Sequence, residues 1–184
     1  RTLAPMYAVL IAAGVLFGAT IRGSGRIHTK ATLLTVVVTL VGLAVTASLL
    51  CLMVGFGLGA GQVAGITAIT LLLGMISILT GSLMVRIFGG MWGQIAALMT
   101  ALAQVGIVGW AWNLAATTAI PTGWLLATSL MPLHYATSGL VAFGNSGGSA
   151  SHIGISLGVM IALCVSGLTG LKLLQPTVGR RKAS

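Results

Sequence analysis

Long apolar runs alternate along the chain with short basic or glycine-rich segments. Residues 3–21 are nineteen positions without a charge, enough for a helix to cross a hydrocarbon core of about 30 Å. Residues 31–85 are 55 uncharged positions, too many for one crossing, and the glycine-rich segment 55–62 predicts an outer turn that divides them. The spans predicted in this way are residues 3–21, 31–54, 63–85, 87–112 and 152–174.

The segment 121–144 has a different pattern. Its apolar part, from Trp124 to Leu133, is only ten residues, and Pro132 interrupts it. We therefore expect a re-entrant helical hairpin that dips into the outer leaflet and leans on the fourth and fifth spans, because broken backbone at membrane depth must be covered by protein or water. The residues on which this hairpin is predicted are Pro121, Trp124, Pro132, His134 and Tyr135. Trp124 is expected at the headgroups and His134 near the outer interface, with His134 and Tyr135 near polar atoms of neighbouring spans.

The composition agrees with a membrane protein: 57% of residues are hydrophobic, 5% are charged, and the mean hydropathy is +1.12. The predicted fold is a single all-α domain over residues 1–184, a polytopic bundle of five transmembrane spans plus the hairpin. The net charge of +9 does not indicate nucleic-acid binding, since the positive residues flank apolar runs instead of forming a face on a soluble domain. The environment expected for the chain is a lipid bilayer.

The chain contains no Asp and no Glu. Carboxylate-pair hydrolysis, carboxylate cages for Ca²⁺ or Mg²⁺, and proton relays through an intramembrane acid therefore cannot be built from it. We expect no enzymatic activity, no cofactor and no metal. Energy for any transport would come from another domain or subunit.

Basic residues set the expected orientation. The loop after the first run is rich in Arg and Lys, and such loops stay cytoplasmic. With alternating spans, eight of the nine basic residues then fall on the cytoplasmic side of a cell membrane, with the amino end outside. Arg1 is the exception and suggests that a further span and an extracytoplasmic domain precede it. The basic residues expected on the cytoplasmic side are Arg22, Arg26, Lys30, Arg86, Lys172, Arg180, Arg181 and Lys182.

Small and hydroxyl residues recur at helical spacing. Gly14 and Gly18 favour the close approach of another helix. A 3-4 rhythm in the second and third spans places further small residues on one face of each helix. These faces either pack through small residues and interhelical hydrogen bonds or line a polar path. The residues are Thr35, Thr39, Gly42 and Thr46 in the second span and Thr70, Gly74, Ser77 and Gly81 in the third.

The fourth span carries interfacial and polar side chains. Trp92 lies at its inner end and Trp110 at its outer end, as aromatic belts require. Gln94 and Gln104 are expected to face neighbouring helices and to hydrogen-bond with them.

Candidate catalytic groups are few. The sequence Gly-Asn-Ser-Gly-Gly at 144–148 fits a nucleophile pattern, but only His134 and His152 are nearby as bases and no carboxylate could orient them. A flexible loop is the favoured interpretation. The two histidines lack a third metal ligand, which favours interfacial anchoring over a metal site.

Residues 129–140 read Ser-Leu-Met-Pro-Leu-His-Tyr-Ala-Thr-Ser-Gly-Leu. This is similar to the Pro-x-x-Tyr-x-x-x-Gly-Leu pattern before the last helix of the YhgE/Pip (phage infection protein) family. The layout of spans resembles the carboxyl-terminal membrane region of that family and, more broadly, the membrane domains of ABC type-2 exporters. The resemblance implies an upstream outer domain, an oligomer and an energising subunit such as an ATPase.

Three functions follow as hypotheses. The first is a transport-associated membrane domain, and the second is a structural or assembly subunit of a larger complex. The third, remote one is an intramembrane serine peptidase. An ATPase beside the basic loop would favour transport, whereas tight packing without a cavity would favour the assembly subunit.

Overall fold

The structure, a computed structural model, describes residues 4–23, 30–53, 57–114, 122–144 and 150–174. The elements of these segments are all helices, which confirms the all-α class. The helices are α1 (Ala4–Gly23), α2 (Lys30–Met53), α3 (Ala60–Phe88), α4 (Gly90–Leu114), α5 (Thr122–Ser129), α6 (Pro132–Gly144) and α7 (Ala150–Leu173).

Helices occur where each apolar run was predicted, with ends that differ by up to three residues. Three of them, over Ala60–Phe88, Gly90–Trp110 and Ser151–Leu173, are long and apolar enough to cross a membrane. Shorter apolar stretches, Val9–Ile21 and Leu34–Leu49, lie on α1 and α2.

Helix α3 is the centre of the bundle. It packs against α1, α2, α4, α6 and α7. Its apolar residues are not confined to one stripe, as is usual for a helix enclosed by others. Ile69 and Leu73 are fully buried and contribute to a core that also includes Ile11, Val15 and Met160.

The contact between α1 and α3 is the closest in the bundle. A Cβ added to Gly18 would overlap the backbone of Ile78, and one added to Gly81 would overlap the carbonyl of Val15. The Ser82 hydroxyl also donates across this interface to the Gly18 carbonyl, at 3.2 Å. The predicted close approach of a helix to the Gly14–Gly18 pair is therefore confirmed, and its partner is α3.

The helix directions follow from which residues meet. Residues further along α3 contact residues further along α1 and α7, so these three helices are parallel. The same residues contact positions nearer the starts of α2 and α4, so α2 and α4 run in the opposite direction. The pairs are Ser77–Gly14, Ser82–Gly18, Leu79–Gly167, Leu83–Gly170, Thr67–Ser48, Gly74–Leu43 and Val85–Gly93. The basic ends of α1, α2, α3 and α7 therefore lie together at one end of the bundle.

A single residue, Gly89, connects α3 to α4. Its φ of 83° lies in the left-handed region, which glycine adopts without steric cost. Its amide donates to the Val85 carbonyl at 3.0 Å, and its carbonyl accepts from the Gly93 amide at 2.7 Å. A Cβ on Gly93 would overlap the backbone of Val85, so the two helices meet closely at this turn.

Candidate functional site: the broken helical hairpin

The hairpin consists of α5 and α6, separated by Leu130 and Met131. The Met131 amide donates to the Thr128 carbonyl and the His134 amide to the Met131 carbonyl, both at 3.0 Å. Pro132 is the first residue of α6, where its missing amide hydrogen costs nothing and its fixed φ suits a helix start. The predicted interruption at Pro132 is thus a break between two helices.

Hydroxyl groups hydrogen-bond to backbone carbonyls on both sides of the break. Thr128 donates to the Leu125 carbonyl at 3.0 Å, and Ser129 donates to that of Leu126 at 2.7 Å. After the break, Thr137 donates to the Leu133 carbonyl at 2.8 Å. Local bonds of this kind partly replace the ladder that the break interrupts, which matters where lipid offers no donors.

Helix α6 runs antiparallel to α3. A Cβ on Gly65 would overlap the Phe143 ring, and one on Gly139 would overlap Ile69 and lie 3.4 Å from the Ser156 Cβ. The step of four residues from Gly139 to Phe143 on α6 thus corresponds to the step of four residues from Ile69 back to Gly65 on α3. This register places the end of α6 beside the start of α3.

The register also sets the depth of the break. Pro132 precedes Gly139 by seven residues, about 10 Å of helix, and so lies level with the middle of α3. His134 and Tyr135 follow at once. Both therefore lie level with the middle of α3, because α6 carries its amino end into the bundle. The location of His134 near an outer membrane interface stays a prediction.

Gln62 ties the hairpin to α3. Its Oε1 accepts from the Gly59 amide at 2.8 Å, and its Nε2 donates to the Phe143 carbonyl at 2.9 Å. We expected Gln62 in the turn before the third span, whereas it lies in the first turn of α3. A Gln three residues after a helix N-cap is a recognised capping signal that would have revealed half of this role.

Two buried polar atoms at or near the hairpin have no hydrogen-bond partner in the described part of the chain: His134 Nδ1 and Gln104 Oε1. The His134 ring packs edge-on against Tyr135 with centroids 5.4 Å apart. The expected hydrogen bonds of the fourth-span glutamines are not formed by Gln104 Oε1, and Gln94 is exposed.

An aromatic contact holds the start of the hairpin. Trp110 of α4 and Trp124 of α5 meet edge to face, with centroids 4.9 Å apart and planes at 63°. The predicted contact with the fourth and fifth spans is made, since α5 packs against α4 and α6 against α7. Helix α6 additionally packs against α3 and α1, so the hairpin is part of the bundle.

The two hydroxyl stripes differ in what they meet. On α3 the four residues are buried, with Ser77 and Gly81 against α1. On α2 the four residues are exposed, and a Cβ on Gly42 would meet nothing within 4 Å. The two stripes therefore do not face each other. The four stripe residues on α3 are Thr70, Gly74, Ser77 and Gly81, and those on α2 are Thr35, Thr39, Gly42 and Thr46.

Hydroxyls within the stripes bond mainly inside their own helix. Thr39 and Thr46 donate to carbonyls four residues earlier, at 2.7 and 2.8 Å, and so do Thr70 and Ser77. These four bonds are not interhelical. Thr67, which the same 3-4 spacing places on the α3 stripe, does form the expected interhelical bond: its hydroxyl pairs with that of Ser48 on α2 at 3.0 Å.

An open groove of about 660 Å³ lies beside that pair, between α2 and α3. Its lining is mostly apolar, with Val63 and Leu71 among its walls and Ser48 and Thr67 as its hydroxyl groups.

The remaining predicted residues are placed as follows. Arg86 is half-buried in the last turn of α3, Lys172 is exposed in the last turn of α7, and His152 is exposed on α7. Arg22 and Lys30 lie in the last turn of α1 and at the start of α2. Among the described residues, no three His, Cys, Asp or Glu side chains are grouped as metal ligands would be. The predicted residues outside the described ranges are Arg26, Pro121, Arg180, Arg181, Lys182 and positions 145–148 of the glycine-rich loop.

No family model, curated protein or solved structure matches this chain.

Proposed function

We propose that the chain is a transport-associated integral membrane domain without chemistry of its own. It crosses a cell membrane five times, with α1, α2, α3, α4 and α7 as spans and the basic end of the bundle cytoplasmic. The resemblance to YhgE/Pip proteins and ABC type-2 exporters agrees with this assignment. Partners would be a second copy, an extracytoplasmic domain, or an energising subunit such as an ATPase.

The observation that carries the proposal is the break at Leu130 and Met131, level with the middle of α3. Interrupted helices at membrane depth occur where protein covers them or where they line a cavity, and they form the substrate sites of many transporters. Polar groups lie at this break: the His134 ring and the Thr128 hydroxyl. A helix that served packing alone would gain nothing from them.

Single-cysteine labelling of native membranes tests the proposal. Thr128→Cys and His134→Cys are made in a chain whose Cys51 and Cys164 are replaced by Ala. Val38→Cys is the matched control, because that side chain is 60% exposed on the apolar face of α2. A membrane-impermeant maleimide is added from outside.

If the hairpin borders a water-filled path, the cysteine at 128 or 134 reacts and the one at 38 does not. Reaction at position 128 or 134 should also slow when α6 is linked to α3 through a cysteine pair at 139 and 69. Equal inertness of all three single cysteines would reject the transport role.

The alternative function, an assembly subunit, also rests on an observation. The central helix is packed against its neighbours through glycines, and α2 presents a row of hydroxyl and small residues outwards. Such a face allows close helix association in lipid. Gly42→Leu should then abolish a complex that survives Val37→Leu, since Val37 is 47% exposed on another face of α2. If the cysteines at 128 and 134 do not react and the complex is lost in this way, the assembly role replaces the transport proposal.

A further inference from the structure

Arg86 holds two buried donors without an acceptor. Its terminal nitrogens, Nη1 and Nη2, are covered by protein atoms and have no hydrogen-bond partner among the described residues. The arginine guanidinium carries a full positive charge. A cation enclosed without a partner is unfavourable, and it needs an acceptor.

That acceptor cannot be a carboxylate side chain of residues 1–184, because this sequence contains no Asp and no Glu. Arg86 lies at the basic end of the bundle, near the level of Lys172 and of the ends of α1 and α2. The local surplus of positive charge favours an anion from the surroundings.

The neighbouring surface indicates which anion. Four large apolar side chains next to Arg86 are exposed at the α3–α4 turn: Ile87 at 57%, Phe88 at 55%, Met91 at 67% and Trp92 at 67%. Exposed Trp and Phe beside an arginine at a helix end are typical of the lipid interface, where the rings meet glycerol and upper acyl groups. The turn offers room as well, since a Cβ on Gly89 or Gly90 would meet nothing within 4 Å.

We propose that the α3–α4 turn is a binding site for one anionic phospholipid, whose phosphate is held by the Arg86 guanidinium. The half-buried side chain turns out of its apolar cover to headgroup level, as long basic side chains do at helix ends. The guanidinium fork binds two phosphate oxygens, and Phe88, Met91 and Trp92 contact the lipid below. The site rests on the membrane location of the bundle and is independent of whether the protein transports anything.

The chain supplies its own reporter for this site. Of the four tryptophans, Trp92 is next to the turn, whereas Trp110 is eighteen residues, about 27 Å, further along α4. Replacing Trp110, Trp112 and Trp124 by Phe leaves a fluorophore at the proposed site alone. The full chain is reconstituted in phosphatidylcholine vesicles, and brominated phosphatidylglycerol or brominated phosphatidylcholine serves as the quencher.

Brominated phosphatidylglycerol should bind beside Trp92 at least about five-fold more tightly than brominated phosphatidylcholine. Arg86→Gln should bring that ratio close to one. Lys172→Gln is the matched control, because it removes a charge at the same end from an exposed side chain, and it should retain most of the preference. High salt should leave the wild-type preference largely intact, since a direct contact is screened less than a diffuse potential.

Several results would overturn the site. Equal losses in Arg86→Gln and Lys172→Gln would mean only a general surface potential. Displacement of the brominated lipid by inorganic phosphate would assign the site to a free anion. An unchanged lipid preference in Arg86→Gln would show that Arg86 does not hold the lipid. Absence of any lipid preference in the wild type, together with dissociation of a protein complex by Arg86→Gln, would assign Arg86 to a protein interface. If Arg86→Gln does not fold, Arg86→Lys decides: a partial preference supports the fork, and a full one contradicts it.

Discussion

Replacing Gly81 by Ala should destabilise the bundle, because the obstacle to the new methyl group is backbone. The added Cβ would overlap the Val15 carbonyl and lie 2.9 Å from the Ala19 amide nitrogen. No rotamer change can relieve such a contact. Helix α1 would have to move away from α3, by on the order of 1 Å to restore ordinary van der Waals separation.

The size of the effect follows from three contributions. Overpacking a close interface costs about 1–3 kcal/mol, and a gap of about 1 Å forfeits up to half of each affected dispersion contact. Separating the helices also weakens the bond from Ser82 to the Gly18 carbonyl, worth about 0.6 kcal/mol in lipid. The higher helix propensity of Ala compared with Gly stabilises the variant by up to about 1 kcal/mol. The expected net loss is about 1–2 kcal/mol.

Reversible unfolding in mixed micelles, titrated with sodium dodecyl sulphate, measures this loss. Gly42→Ala is the matched control, since its methyl group meets nothing and the change should be neutral or stabilising by up to about 1 kcal/mol. Gly18→Ala should cost about as much as Gly81→Ala. The double variant should cost less than the sum, because one displacement of α1 relieves both overlaps.

Two outcomes would refute this reasoning. If Gly81→Ala unfolds at the wild-type detergent fraction, the α1–α3 backbones are not in contact. If Gly42→Ala loses as much stability as Gly81→Ala, α2 packs through the face that carries Gly42. The assignment of the α2 stripe as exposed would then be wrong.

Two further predictions concern the ends of the bundle and the hairpin. Cysteines replacing Arg22 and Arg86 should be labelled from the same side of a sealed membrane, and labelling from opposite sides would contradict the helix directions. Gln62→Ala should cost about 1–2 kcal/mol in the same unfolding assay through two lost hydrogen bonds, whereas Gln62→Glu, which keeps the bond from Gly59 but loses the donor to the Phe143 carbonyl, should cost part of this.

Helix positions could be predicted from sequence because their signals are local. The lengths of the apolar runs and the glycines at 55–61 delimit the elements that the structure describes. The spacing of Gly14 and Gly18 likewise predicts a close helix contact wherever a partner is available. These inferences require only the geometry of one helix and the thickness of a bilayer.

What each face meets could not be predicted. The stripes through Gly42 and Gly74 have the same rhythm, yet one is exposed and the other buried. A 3-4 spacing shows only that residues share a face, and lipid is as apolar as a helix surface, so no contrast with solvent marks the inward side. The level of His134 along α3 could not be predicted for a related reason. It depends on the register of α6 against α3, which is set by Gly65, Phe143 and Gln62, contacts that no periodicity encodes.

The distribution of glycines divides the bundle into a fixed part and parts that can rearrange. Where α3 meets α1 and α4, added Cβ atoms at Gly18, Gly81 and Gly93 would collide with backbone, so these helices cannot slide or rotate without losing contact. Helix α2 packs chiefly against α3, and α5 contacts only α4 and α6 among the stronger packing pairs. A conformational cycle would therefore have to move α2 or the hairpin against a stationary α1–α3–α4 unit. Gln62 bonds the end of α6 to the start of α3, and Leu133 and Ala136 bury the start of α6 in the core. Within the hairpin, α5 is therefore the part that can change its packing with the least loss of contact.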